Sequence, residues 1–559
     1  MNHSSTFLAA AADDPYALVL SSFMLFMVLA LFGSVFAGLR GDSPSEFYIG
    51  DRQGSALKNG LALAGCYVST SLLLSVTGVV ATVGFDGITA ATSVLLSMGV
   101  LLLLARPLQL SGSLTLGDLF SLRAPGTAPR VAAAVVTLAV TAPYLVAQLM
   151  AAGNVTAAFL GFSGIGVQQM CTVLIGGLVV TCGMLSGAKG LTVIQVIAAA
   201  VTLAAMIFAS LAVLRLFHGD VGSLLTAADA HSIRPGRYLS TGGLINVGPT
   251  PRLDIAAGQV MTVLGGVCMP HVLSRVSAAR DTATARRSVR YATGVVALVC
   301  VTVVILGMGA SARVGADTIL SGQSNADDSL MLVASSLDDR LGSGMSRLLF
   351  TALACAIFLS VLAVVGATTL AAAAALARDT YHHLVQRRQS DPTRELMVAR
   401  IAVLLFGVLG ILLAVLAQGR STAFLAQLAM AVAASTVAPV LLYTFYWDRF
   451  NRTGLLWAVY GGIILSGGLA VFSPSASGSS QAFLPNADFA WFDHSTPVLV
   501  SVPAAFLLGW AGSLVGHRRA HRHQAEDASV TSAVLLVGRT AATAVATGRT
   551  AGRRPERSD

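Results

Sequence analysis

Long apolar stretches recur along the whole chain and are separated by short polar segments. A helix that crosses a bilayer needs about 20 mainly apolar residues. The pattern predicts an all-α polytopic membrane protein with about thirteen transmembrane helices. In chain order the predicted spans lie at about 17–39, 59–84, 88–106, 130–160, 167–186, 191–217, 254–274, 288–313, 347–377, 400–417, 422–447, 454–472 and 495–516.

Composition agrees with this pattern and excludes several classes of protein. Only 11% of the 559 residues are charged, against about 25% in soluble domains, and the mean hydropathy is +0.76. The six cysteines all lie in apolar stretches and none has zinc-site spacing. A soluble enzyme, a nucleic-acid-binding domain and a secreted disulfide scaffold are therefore all disfavoured.

Basic residues indicate how the chain is oriented. With the N-terminus outside, 27 of the 35 Lys and Arg residues fall in inner segments and 8 in outer segments, as the positive-inside rule requires. We predict an extracytoplasmic N-terminus at 1–16, a membrane domain at 17–516 and a basic cytoplasmic tail at 517–559. The predicted location is the bacterial plasma membrane.

Charge is nearly absent from the middle of the predicted spans, so a transport site must use hydroxyls, backbone carbonyls and helix ends. Span 2 contains GCYVSTS and span 7 contains GGVCMP. Helix-breaking residues at corresponding places in two halves predict discontinuous helices, interrupted near residues 65–69 and 265–268. Their exposed carbonyls attract a cation, and their free N–H groups attract an anion. The alternative is that these glycines permit close helix packing.

Other polar residues lie within spans 4 and 9. Tyr144 and Gln148 are one turn apart, so they either join helices or line a cavity. In span 9, Ser360 and Thr368 are about two turns apart and share a face, with Thr369 adjacent. Hydroxyls in helices also commonly bond to the carbonyl four residues earlier.

Several longer motifs resemble one known family. The chain resembles the sodium:solute symporter family, and within it the acetate permease (cation/acetate symporter) branch, over nearly its whole hydrophobic length. The sequence PHVLSRV followed by ARRSVRYATG is the most specific match. The other matching stretches are FYIGDRQGSALKNGLALAG, GFDG, PYLVAQLMAAGN, GMLSGAKGLTVIQV, LAVVGATTLA and YW.

The resemblance implies a leucine-transporter-like core at about 59–447, with two inverted five-helix repeats formed by helices 2–6 and 7–11. It also implies a sodium ion between helices 2 and 9. The positions carried over for that ion are Gly65, Val68, Ala356, Leu359 and Ser360. This chain has Cys66 where acetate permeases have an aspartate, and Leu359–Ser360 where many symporters have two hydroxyls. Proton coupling therefore stays open beside sodium coupling.

The sequence as a whole predicts a symporter that imports a small monocarboxylate (acetate, propionate or pyruvate) together with Na+ or H+. The residues predicted to line the substrate site are Ser69, Thr70, Tyr144, Gln148, Thr262 and Gly265. The alternatives are a symporter for proline, urea or pantothenate, or a membrane sensor that does not transport. No enzymatic motif supports catalysis. We expect the lipid bilayer as partner, no nucleic acid, and no cofactor besides the coupling ion.

Overall fold

A computed structural model describes the membrane domain. The residues described are 28, 32–33, 35–36, 44–50, 54–160, 162, 164–242, 251–321, 326–337, 343–385, 392–478 and 482–520. The first predicted span (17–39), the N-terminal segment (1–16) and the basic tail (517–559) lie largely outside them. Statements about the fold below concern this part of the chain.

The regular structure of these residues is helical, which confirms the predicted all-α class. Polar side chains cap several helices, as when Asp281 accepts a hydrogen bond from the backbone N–H of Thr284 at 2.7 Å. The helices are α1 (Pro44–Ile49), α2 (Ala56–Tyr67), α3 (Ser71–Val83), α4 (Phe85–Ser111), α5 (Leu116–Phe120), α6 (Thr127–Phe159), α7 (Ile165–Leu216), α8 (Val221–Ala230), α9 (Pro251–Val267), α10 (Pro270–Ser277), α11 (Thr282–Val314), α12 (Ala316–Ser321), α13 (Ser329–Ser335), α14 (Ser343–Ala374), α15 (Pro392–Ala417), α16 (Thr422–Tyr446), α17 (Arg452–Val471) and α18 (Val498–Ala520). A π-helix, Ala375–Val385, continues α14.

The membrane-spanning elements match the predicted spans closely. Within the described residues, nine helices are long and apolar enough to cross a bilayer, and two bent helix pairs raise this number to eleven. The bent pairs are α2 with α3 and α9 with α10, at predicted spans 2 and 7. The total of thirteen stays a prediction, because the first span lies outside the described residues and predicted spans 5 and 6 are counted as one helix of 52 residues.

Predicted spans 5 and 6 are joined without a loop. Helix α7 runs for 52 residues, but Gly187 inside it has a φ of 54° and a ψ of −160°, a conformation that essentially only glycine adopts. The polar segment between the spans is therefore a one-residue bend rather than a connecting loop. Helix α1 packs there, and its Glu46 accepts a hydrogen bond from Lys189 at 2.5 Å.

The bent helices lie inside the bundle. Helix α2 packs against α7, α11 and α14, while α10 packs against α2, α4 and α14. Helix α14 is the most buried spanning helix, whereas α15, α17 and α18 keep most of their apolar surface on the outside of the bundle. An exposed apolar face suits a helix that contacts lipid. The polar residues in the middle of α14 and most of those in α10 are buried and consequently face protein rather than lipid.

Candidate functional site

Both predicted interruptions are present. The axis bends by 67° between α2 and α3, where Val68, Ser69 and Thr70 connect them. It bends by 43° between α9 and α10, where Cys268 and Met269 intervene. The C-terminal ends of α2 and α9 and the N-terminal ends of α3 and α10 therefore meet inside the bundle. That arrangement offers carbonyls to a cation and N–H groups to an anion.

The glycines before the breaks have a separate role. A Cβ atom on Gly65 would overlap the carbonyl oxygen of Gln195 on α7, and one on Gly265 would lie 2.5 Å from the carbonyl oxygen of Met430 on α16. Both glycines thus permit close helix packing, and each break begins three residues later. Close packing therefore explains the glycines, whereas the helix breaks are formed by the residues that follow them.

Thr70 and Gln148 hold the first break against α6. The Thr70 hydroxyl donates to Gln148 Oε1 at 2.5 Å, and the Thr70 backbone N–H donates to the same oxygen at 3.4 Å. Gln148 is fully buried, and its Nε2 atom has no hydrogen-bond partner among the described residues. These two predicted site residues are thus brought together as a link between helices.

A cavity of about 620 Å³ leads to the breaks. Its rim is formed by the start of α16 and by residues near 474 and 495, all on the side predicted to be extracytoplasmic. Three predicted substrate residues line it, and Gly266 lines it instead of Gly265. Those three residues are Ser69, Tyr144 and Thr262. Thr262 also donates to the carbonyl of Gly258 in its own helix, at 2.9 Å.

His271 is a site residue that the sequence prediction missed. It follows Pro270 at the start of α10, is 5% exposed and stacks on Tyr144, with ring centroids 5.9 Å apart. Its Nδ1 atom has no hydrogen-bond partner among the described residues. His271 lines both the outer cavity and a smaller inner one. Its position directly after the helix-breaking proline was the available signal.

The predicted cation residues lie on α2 and α14, which pack against each other. The Ser360 hydroxyl is 3.2 Å from that of Thr202 on α7, and Thr202 donates to the Ala356 carbonyl at 3.3 Å. Thr368 and Thr369 instead bond to carbonyls of their own helix. Thr202 was missed, because only the packing of α7 on α14 places it beside Ser360. The sodium site itself stays a prediction.

Two further positions limit that site. The Leu359 side chain is fully buried and carries no oxygen, so only its backbone carbonyl can contribute. Cys66, which stands where acetate permeases have an aspartate, donates its thiol to the Leu63 carbonyl at 3.3 Å and is buried. All six cysteines are buried free thiols.

An inner cavity of about 40 Å³ lies below the breaks. Arg275 of α10 lines it, and its guanidinium donates to Thr192 Oγ1 at 2.9 Å and to Gln195 Oε1. A charged group therefore lies inside the protein at the inner end of predicted span 7, although the middle of that span has none. Arg275 is one residue beyond predicted span 7, and the bend directs the last turn of that span into the protein.

A cluster of charged residues underlies the inner cavity. Asp118 of α5 pairs with Arg130 at 2.9 Å and with Arg378 at 3.1 Å. Burial opposes ionisation of Asp118, but Arg378 and Arg130 hold its pKa below the ordinary value. Asp379 is fully buried and accepts hydrogen bonds from the Thr115 hydroxyl at 2.6 Å and the Gly117 N–H at 3.2 Å.

Glu395 extends this cluster to α1. It accepts a hydrogen bond from the Tyr48 hydroxyl at 3.1 Å and lies 3.9 Å from Arg378 and 3.5 Å from His382. Tyr48 and Thr115 also line the inner cavity. The charged cluster, formed by Asp118, Arg130, Arg378, Asp379 and Glu395, therefore contacts the inner cavity through Tyr48 and Thr115.

Known proteins share the sequence pattern of this chain. A family model described as the sodium:solute symporter family matches residues 47–462. The chain belongs to the sodium:solute symporter family. The symporter is 33% identical over 508 residues to the "Monocarboxylic acid transporter" of Corynebacterium glutamicum, covering 89% of this chain and 91% of that protein. It is 32% identical over 501 residues to the "Uncharacterized symporter YwcA" of Bacillus subtilis, covering 89% and 94%.

Solved structures share the fold of the symporter. A Na+-coupled sialic acid symporter in a substrate-bound outward-open state aligns with a TM-score of 0.69 at 12% identity, covering 89% of this chain and 97% of that one. This likeness confirms the predicted leucine-transporter-like fold. The identity is too low for it to carry information about the substrate.

Asp327, near the rim of the symporter's outer cavity, allows a test of how a buried carboxylate affects stability. Burial raises its pKa to about 6, and it accepts a hydrogen bond from Thr422 at 3.4 Å. Because the ordinary value is 3.8, the folded state is penalised once pH rises above that value, and the penalty is complete above pH 6. Asp327→Asn should therefore raise the free energy of unfolding at pH 7.5 by on the order of 1–3 kcal/mol. The gain should vanish near pH 4.

Chemical unfolding in detergent at the two pH values measures this effect. Asp317→Asn, at an exposed position on nearby α12, is the matched control and should change stability at neither pH. Equal stabilisation by Asp327→Asn at both pH values would show that burial of its charge is not the cause.

Proposed function

We propose that this symporter imports small monocarboxylates, with acetate, propionate and pyruvate as its substrate class. The proposal rests on the groups that surround the deep end of the outer cavity. There the N-termini of α3 and α10 converge with the neutral side chains of Ser69, Tyr144 and His271. Helix N-termini favour one negative charge. The name of the C. glutamicum relative supports the same substrate class.

We propose Na+ as the coupling ion, bound between the α2 carbonyls of Gly65 and Val68 and the α14 positions Ala356, Leu359 and Ser360. The family match and the Na+-coupled structural relative support this choice. The Ser360–Thr202 hydroxyl pair supplies polar oxygen beside those positions. Oxygen ligands of this kind suit a hard cation.

Uptake into proteoliposomes tests the substrate and the ion separately. Radiolabelled acetate and pyruvate should accumulate when an inward Na+ gradient is imposed, and propionate should compete with both. Dicarboxylates, proline, urea and pantothenate should not compete. Inhibition by proline without inhibition by propionate would refute the substrate class. Accumulation driven by a pH gradient alone would refute Na+ coupling and leave the substrate class intact.

Ser360→Ala tests the proposed ion site. Loss of one oxygen ligand should weaken cation binding by about 1–3 kcal/mol, so the half-saturating Na+ concentration should rise about 5- to 150-fold. Acetate affinity at fixed Na+ should fall as well, because coupling between two bound ligands is reciprocal. Both constants come from initial uptake rates over a Na+ series.

Thr369→Ala is the matched control for Ser360→Ala. Thr369 is also buried in α14, but its hydroxyl bonds to Val365 of its own helix. Thr369→Ala should leave the Na+ dependence of acetate uptake unchanged. An unchanged Na+ dependence in Ser360→Ala would remove this residue from the ion site.

A further inference from the structure

We propose that Arg275 forms a second carboxylate-binding site on the inner side of the helix breaks. The substrate anion would occupy it after leaving the breaks and before release into the cytoplasm. This inference rests on the proposed monocarboxylate function and adds an inner binding site to the transport path.

The guanidinium of Arg275 has neutral protein partners. It donates to Thr192 Oγ1 and to Gln195 Oε1, and among the described residues no carboxylate lies within ion-pair distance of it. By contrast, Arg130 and Arg378 both pair with Asp118. A charge inside a protein is costly unless an opposite charge accompanies it. A substrate carboxylate is a suitable counterion, because a guanidinium can bind both of its oxygens.

The position of Arg275 on α10 connects it with the outer site. His271, Ser274 and Arg275 all line the inner cavity, and His271 lines the outer cavity as well. Residues three and four apart share a helix face. One helical turn separates His271 from Arg275, so a carboxylate would move about 6 Å inward. The same short helix thus presents its N-terminus to the first site and a cation to the second.

The size of the inner cavity limits what it can accept. Its volume of about 40 Å³ accommodates about three water molecules, which is close to the bulk of a two-carbon carboxylate. Its apolar wall is formed by α14, where Ala367, Leu370, Ala371 and Ala374 lie. The cavity therefore combines one cation with a short apolar wall, as a short-chain monocarboxylate requires.

The charged cluster defines the far side of this site. Tyr48 and Thr115 line the inner cavity and donate to Glu395 and Asp379. These carboxylates also lie near Arg378 and Arg130, so they already have counterions of their own. These carboxylates consequently do not compete with the anion for Arg275.

Kinetics measured from each side of the membrane test this site. Arg275→Gln removes the charge, Arg275→Lys keeps it, and Arg280→Gln removes an exposed charge three residues beyond α10. Acetate transport is measured from outside in right-side-out vesicles and from inside in inside-out vesicles. Size-exclusion profiles verify that each variant is folded.

For Arg275→Gln we expect the inner KM for acetate to rise at least tenfold, while the outer KM stays within twofold of wild type. Arg275→Lys should recover part of the inner affinity, and Arg280→Gln should match wild type. Equal increases of both KM values, or an unchanged inner KM, would overturn the second site. If wild type transports none of the acids, the proposed function fails together with this inference. If wild type transports acetate normally and Arg275→Gln has the KM values of wild type, the second site is refuted and the proposed function stands.

Discussion

Replacing Asp379 with alanine is expected to lower the free energy of unfolding by about 2–6 kcal/mol, because two buried donors lose their acceptor, at about 1–3 kcal/mol each. Asp379 is fully buried, lies 3.6 Å from Arg130, and accepts hydrogen bonds from Thr115 and Gly117. The Thr115 hydroxyl and the Gly117 N–H lose their acceptor, while Arg130 keeps its ion pair with Asp118. Denaturant unfolding of the purified protein in detergent measures the change.

The same substitution should also affect transport, because Thr115, which lines the inner cavity, loses the acceptor of its hydroxyl. We expect wild-type vesicles to retain accumulated acetate longer than vesicles that contain Asp379→Ala. Asp448→Ala is the control, because Asp448 pairs with Arg123 but its side chain is 70% exposed. Exposed pairs contribute about 0–1 kcal/mol. A decrease of only about 0–1 kcal/mol in the free energy of unfolding of Asp379→Ala would contradict a structural role for the cluster.

Gly65→Ala is expected to reduce acetate uptake more than tenfold. The added methyl group would overlap the carbonyl oxygen of Gln195, and a backbone atom cannot rotate away as a side chain can. Helix α2 must therefore shift from α7, at an overpacking cost of about 1–3 kcal/mol. The shift displaces Val68, whose carbonyl is a proposed ligand of the ion. Uptake assays and the yield of folded protein report the result.

Gly183→Ala on α7 is the control for that experiment. The atom nearest to its added methyl group would be Val403 Cγ1 at 3.7 Å, an ordinary contact. Uptake by this variant should equal that of wild type. Wild-type uptake in Gly65→Ala would show that α2 can move away from α7 without consequence for the site.

The sequence alone predicts the spans and both helix breaks, since these depend on local composition. Apolar length determines where a bilayer can be crossed, and glycine and proline weaken a helix wherever they occur. The pairing of Thr70 with Gln148 could be anticipated in part, because a buried amide in lipid needs a partner. The structure supplies which partner it has.

Contacts between distant segments could not be predicted in this way. Asp118 and Arg378 are 260 residues apart, and Arg275 reaches Thr192 across 83 residues. Arg275 and Arg378 each lie one residue beyond a predicted span, and Asp118 lies in a connection between two spans, where a charge is ordinarily interpreted as facing water. Only the packing of helices, and the bend before α10, brings these charges inside. Thr202 beside Ser360 was missed for the same reason.

The burial of every native cysteine has a practical consequence for chemical labelling. A thiol reacts with a maleimide only when the reagent can reach it, and all six thiols are enclosed by the bundle. The natural chain is therefore a low-reactivity background for site-directed probes. A single cysteine at exposed Arg420, beside the outer cavity, could carry a fluorophore that reports changes at its rim. Cys66 and Cys268, beside the two breaks, would become reactive only in a conformation that opens the core.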